Sequence, residues 1–282
     1  MSTIQHRYAQ INGIRMHYAV AGSGPPVVML HGFPEFWYGW HKQIPALAER
    51  YTVIVPDQRG YGETDKPTWG YEVDVLVQDI IGLIEASGHQ RARIVGHDWG
   101  GAVAWALAIK FPQRVERLAI LNAPHPAIFP AALKTNPRQA MRSMYMGFFQ
   151  LPWLPEALLS ANDYALYAQS LRRSAATPTA FSDEEIERYK DAISTPGALT
   201  GALNWYRAAR RSGGLLRGTG LQVTVPTLLM WGERDSFLGK ELIDGTERFV
   251  PDLRVLRMPT CSHWLHHEAP EAVNQALVDF LG

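Results

Sequence analysis

The chain of 282 residues lacks the features that mark several broad classes of function. It has one cysteine, Cys261, so an intramolecular disulfide is excluded and a reducing compartment is expected. It has no excess of either charge: Lys plus Arg and Asp plus Glu both number 27, with no long block of one sign. A nucleic acid or an anionic membrane is therefore not an expected partner. No apolar run approaches the ~20 residues of a membrane span. The segment Met1-Ser2-Thr3-Ile4-Gln5-His6-Arg7 contains no apolar leader core, so a soluble cytoplasmic protein is expected. The histidines have no HExxH or paired-ligand spacing, and His266 and His267, adjacent on a helix, are expected to diverge. Neither a phosphate loop nor a dinucleotide fingerprint is present, so neither metal nor cofactor is expected.

Against these absences stands an ample core, with 46% hydrophobic and 19% charged residues. The chain is organised around Ile94-Val95-Gly96-His97-Asp98-Trp99-Gly100-Gly101. A short apolar strand stops at a glycine, turns tightly, and enters the buried helix Ala102–Ala108. This is the strand–turn–helix setting of a nucleophile elbow, with Asp98 where serine more often stands. A serine and its base attack carbonyls, whereas a carboxylate can attack saturated carbon and form an ester.

Around it the pattern is α/β. Strands are expected at 4–8 and 14–20, joined by an Asn12-Gly13 hairpin, and then at 27–30, 53–55, 93–95 and 118–121. Helices are expected around 40–50 and over 73–86. After Asn122-Ala123-Pro124-His125-Pro126 the strands cease. Residues 127–215 read as a helical insertion covering the site. The α/β pattern resumes at 227–231 and 254–256, and a helix over 269–281 closes it. The core is thus 1–126 and 216–282, with the insertion placed after the sixth strand.

In elbow enzymes the partners follow in the order nucleophile, acid, base. His263, in a loop just past the last strand, is favoured as base over His266 and His267, which are expected to cap the final helix or face solvent. Asp235, at the end of the preceding strand, is favoured as acid over Glu233. Asn122, at the other place for an acid, cannot carry charge. His31, His97 and His125 read as structural, and Asp57 as a brace for its own loop.

Together, His31-Gly32-Phe33-Pro34-Glu35, Gly60-Tyr61-Gly62, Gly96-His97-Asp98-Trp99-Gly100-Gly101, Asn204-Trp205-Tyr206-Arg207 and Ser262-His263-Trp264 resemble the epoxide hydrolases of α/β-hydrolase fold. The resemblance runs over nearly the whole chain and is thinnest in the insertion. It implies a mostly parallel, eight-stranded sheet flanked by helices, with a helical cap. It also implies that Asp98 is the nucleophile, Asp235 and His263 the charge pair, and the N–H groups of Phe33 and Trp99 the oxyanion hole. Two cap tyrosines would hold the epoxide oxygen. Tyr206 matches one closely, and Tyr145 fits the other, with Tyr164 and Tyr167 as alternatives. An alkoxide leaving group needs a proton, which a phenol can donate. A halide needs none, and Phe33-Pro34 stands where haloalkane dehalogenases often place asparagine. Haloacid dehalogenases place arginine at the position of Trp99, so a small, apolar, uncharged substrate and a catalytic water are expected. The pocket is expected to involve Trp99, Trp153, Trp205, Phe33 and Pro34. Trp40 and Trp264 read as packing, and Met141, Met144 and Met146 as filler between cap and core. Hydrolytic dehalogenation on the same triad is the alternative. A catalytically idle binding module is the third reading, against which the intact triad speaks. The sequence leaves room for a homo-oligomer.

Overall fold

The computed structural model describes residues 3–213, 216 and 220–282. Residue 215, the expected end of the insertion, lies outside them. The chain starts with a hairpin of β1 (Gln5–Ile11) and β2 (Ile14–Ala21). Ile11 faces Ile14 across Asn12 and Gly13, whose φ values of 47° and 80° are those of a tight two-residue turn. Then come β3 (Pro26–Leu30), α1 (Ile44–Leu47), β4 (Thr52–Pro56), α2 (Val73–Ala86), β5 (Ala92–His97), α3 (Asp98–Lys110) and β6 (Val115–Leu121). The helix expected over 40–50 is a 3-10 turn at Trp37–Trp40 followed by the single turn α1. Pro45 has no N–H to continue a helix begun at Trp40, but it is suited to starting a new one.

Among the described residues, six helices lie between β6 and the next strand: α4 (Phe129–Thr135), α5 (Pro137–Arg142), α6 (Met144–Phe148), α7 (Leu154–Ser174), α8 (Asp183–Ser194) and α9 (Ala198–Arg211). Helix α7 is broken at Ala161–Tyr164, where Asn162, Asp163 and Tyr164 take positive φ. The chain ends with β7 (Thr227–Gly232), β8 (Leu253–Met258), α10 (Leu265–Glu268) and α11 (Pro270–Leu281).

The strands form one eight-stranded sheet in the order β1-β2-β4-β3-β5-β6-β7-β8. Only β1–β2 and β2–β4 pair antiparallel. Strands β3 and β7 are buried at every position, as expected of parallel strands covered on both faces, whereas the edge strand β8 has no fully buried residue. Apolar clusters fill both sides of the sheet. Helix α3, whose Val103–Ala108 segment is wholly inaccessible, packs against central β5 and brings its first residue to the sheet's carboxyl edge.

Candidate active site

The elbow forms because its glycines leave room for a close approach. A Cβ on Gly100 would lie 2.2 Å from the Leu30 carbonyl oxygen, and one on Gly32 would lie 2.4 Å from the Asp98 Cβ. Asp98 itself takes φ 49°, a strained conformation for a residue with a side chain, held at the junction of β5 and α3. Its Oδ1 accepts a hydrogen bond from the Phe33 backbone N–H at 2.9 Å. The Trp99 N–H lies in the first turn of α3, where amides have no intrahelical acceptor.

His263 comes to Asp98 from the loop after β8. Its Nε2 is 3.6 Å from Asp98 Oδ2, and its Nδ1–H donates to Asp235 Oδ2 at 2.7 Å. Asp235 follows β7 and is fully enclosed by donors. It accepts from the N–H groups of Phe237 (2.7 Å) and Leu238 (2.9 Å), and from the Asn122 amide (2.7 Å). The rival acid Glu233 points elsewhere, to Arg257 and Lys240. Asn122, at the end of β6, bonds both Asp235 and the backbone of Gly232, so it supports Asp235 without replacing it.

Burial disfavours charge on both partners, yet each keeps it. Asp235 is held below the usual carboxylate range because His263, the Leu238 N–H and Asn122 together outweigh burial. In His263, burial is likewise outweighed by Asp235, with Asp98 and Glu35 adding to it, and the pKa is pushed up to about 9.

Tyr145 on α6 and Tyr206 on α9 line one cavity with Asp98, and their rings meet edge to face 5.9 Å apart. Burial raises both phenols above their ordinary value; Asp98 and Asp235 add to this for Tyr145, and Tyr145 and Asp98 for Tyr206. Both therefore keep their protons across the neutral range. Tyr164 and Tyr167 do not line that cavity. The Tyr167 hydroxyl donates to the carbonyl oxygens of Pro34 and Tyr189.

The cavity holds about 460 Å³ and is mainly apolar. Of the expected aromatic pocket, only Trp99 lines it. Trp153 is 72% exposed, because its own φ of 53° turns it out at the start of α7. Trp205 lies behind Trp99, with its indole N–H on the Arg59 carbonyl. Phe33 instead packs edge to face on Tyr206 at 5.3 Å, and Pro34 is buried beneath Tyr167. The wall is built from residues that the sequence did not mark, including Pro124, Phe129, Leu133, Met146 and Leu238, with Lys134 and Arg210 also on it. Phe129 and Leu133 are four apart on α4, a spacing that could have found them. Met146 also packs on the core, but Met141 and Met144 are each 70% exposed and fill no interface.

A second departure lies behind His263. His266 and His267 neither cap a helix nor face solvent. Both are buried, and the Nε2 of each reaches Glu35 Oε1, at 3.3 and 2.9 Å. Helix α10 is a single turn, so the two rings approach one carboxylate from different directions rather than diverging. Glu35 also accepts from Tyr189 (3.0 Å), and its Oε2 lies 2.9 Å from His97 Nδ1, whose other ring nitrogen lies 3.0 Å from the His263 carbonyl oxygen. Burial lowers the pKa of both His266 and His267, keeping them neutral, whereas the histidine contacts hold Glu35 ionised against its burial. Asp57 braces its loop as expected, accepting from the N–H groups of Trp37 and Glu63.

Residues 25–270 match the family described as alpha/beta hydrolase fold. Among curated proteins, the chain is 44% identical to an AB hydrolase superfamily protein of Bacillus subtilis, covering 100% of this chain and 99% of the relative. It is 38% identical to human epoxide hydrolase 4, covering 98% of this chain and 78% of the relative. Among solved structures, an epoxide hydrolase of Bacillus megaterium in complex with an inhibitor superposes with a TM-score of 0.92 at 30% identity, covering 98% and 99% of the two chains. An epoxide hydrolase of Vigna radiata gives 0.86 at 31% identity, covering 99% and 97%. Fold, sequence and site geometry converge: the chain belongs to the epoxide hydrolase family of the α/β-hydrolase fold.

Proposed function

We propose that the protein hydrolyses a small, apolar, uncharged epoxide to a vicinal diol through an ester on Asp98. The observation that carries this reading is the facing of two protonated phenols, Tyr145 and Tyr206, across one cavity from a carboxylate at an elbow. Helices α4–α9 serve in it as the cap. Asp98 attacks an epoxide carbon in line with the C–O bond. That bond breaks as the new C–O bond forms, and the leaving oxygen takes a proton from one tyrosine while the other donates a hydrogen bond. The product is a hydroxyalkyl ester.

Ester formation removes the negative charge of Asp98, one of the three carboxylates that keep a proton on His263. His263 can then release its proton, which re-protonates the tyrosinate through solvent, and act as a base. It deprotonates water, which adds to the ester carbonyl. The resulting oxyanion on Asp98 faces the Phe33 N–H, and the Trp99 N–H is the second donor in this reading. Collapse expels the diol alkoxide, which takes the proton from His263, and the Asp98 carboxyl left behind passes its own proton to His263, restoring the starting pair. Dehalogenation could use the same nucleophile, but a halide gives the phenols nothing to protonate.

One parallel experiment tests the reading. Purified wild type, Asp98→Asn and His263→Gln are incubated with aryl and alkyl epoxides, short haloalkanes and haloacetates, while diol, halide and intact protein mass are followed. The expected result is diol from wild type, none from Asp98→Asn, and one added substrate mass on His263→Gln. Halide without diol would assign the site to dehalogenation, and an unmodified His263→Gln mass would sink the two-step scheme.

A further inference from the structure

Glu268, at the end of α10, carries more donors than a neutral side chain in its place could accept. Its Oε1 accepts from the backbone N–H groups of Ala176 (2.6 Å) and Thr177 (3.2 Å), and from the Ser262 hydroxyl (2.8 Å). Its Oε2 accepts from the Ser262 backbone N–H at 2.6 Å. Ser262 immediately precedes the base, and its hydroxyl oxygen accepts from the N–H of Trp264, the residue immediately after it, at 3.2 Å. The Trp264 indole N–H then donates to the Ser174 hydroxyl at 2.8 Å. Both neighbours of His263 are thus tied to residues 174–177, the stretch where α7 ends inside the inserted helices. Neither Glu268 nor Ser174 lines the cavity.

We infer that Glu268 is a positioning residue for the base, tying the placement of His263 over Asp98 to the docking of residues 174–177. This rests on the reaction proposed above. Ester formation requires Asp98 and the two phenols and does not use His263 as a base. Ester hydrolysis does, and a displacement of ~1 Å in such a group costs on the order of a hundredfold in rate. Loss of the Glu268 contacts therefore slows the second half of the reaction and spares the first. The substitution Glu268→Gln keeps the volume but leaves one acceptor oxygen, turning an amide NH₂ toward groups that are themselves donors.

The test is single-turnover kinetics of wild type and Glu268→Gln with an aryl epoxide, read by intact-protein mass and diol release, alongside thermal unfolding. The expected result is ester formation within about threefold of wild type and ester hydrolysis slowed by at least ~10-fold, so that the adduct accumulates. A folded Glu268→Gln with an unchanged ratio of the two rates overturns the inference, including the case in which both fall together with Tm. If Glu268→Gln does not fold, Ser262→Ala removes one of the four bonds to Glu268 together with the bond from the Trp264 N–H. A larger adduct fraction in that variant supports the inference, and an unchanged fraction overturns it. Wild type giving neither diol nor adduct with any epoxide overturns the proposed function, and this inference with it.

Discussion

At the scale of the residue, each titratable group of the candidate site is set by its immediate neighbours. Tyr145 and Tyr206 are held protonated by burial and by nearby carboxylates, which is what a donor to a departing alkoxide requires. Replacing either with Phe should lower the rate of epoxide opening by roughly ten- to a hundredfold, and replacing both should nearly abolish it. Stopped-flow measurement of ester formation checks this, and full activity in the double variant would remove the tyrosines from the mechanism. The convergence of Asp98, Asp235 and His263 on one site was legible in the sequence because each stands just after an apolar strand, in an order that the elbow dictates. Glu35 was not, because nothing local announces that a carboxylate beside Pro34 gathers His97, His266 and His267 from distant parts of the chain.

At the scale of the element, strands and hairpin were readable from apolar runs and the Asn12-Gly13 pair, and the long helix α2 from its spacing. The lining of the cavity was not. Periodicity identifies a helix but not which neighbour it meets, and a single left-handed residue turns Trp153 from an expected wall into solvent. Glycines make the contrast testable. In α3, Gly100→Ala would drive a methyl into the Leu30 carbonyl and should destabilise by about 3 kcal/mol or more. In α6, a Cβ on Gly147 meets nothing within 4 Å, and that glycine lines the cavity. Gly147→Ala should stabilise by about 0.5–1 kcal/mol while reducing turnover of the bulkiest accepted epoxides. Denaturant titration of both variants gives the signs. A stabilised Gly100→Ala or a destabilised Gly147→Ala would refute this reading of the packing.

At the scale of the whole molecule, the buried histidines pull stability in opposite directions along the pH axis. The folded pKa of His263, about 9, exceeds its ordinary 6.5. Its contribution is therefore complete below pH 6.5 and is lost as pH rises toward 9. His266 and His267 have lowered values, so folding weakens as pH falls below 6.5 and the unfolded chain takes up their protons. Thermal unfolding from pH 5 to 9.5 should thus show a maximum near 6.5. His263→Gln should flatten only the alkaline limb, and an unchanged alkaline limb would argue against a charged His263 in the resting protein.

The strand order also bears on how the chain assembles. β5 pairs with β3 and β6, all of which precede the inserted helices, so the elbow can form from the first part of the chain. β7 reaches β6 only after every inserted helix has been synthesised, and it brings Asp235; the loop after β8 brings His263. When folding proceeds from the N-terminus during synthesis, Asp98 is placed before Asp235 and His263 exist. Under the reaction proposed above, a growing chain that met an electrophile could be alkylated at Asp98 but could not free itself, so turnover would begin only when the last strands have docked.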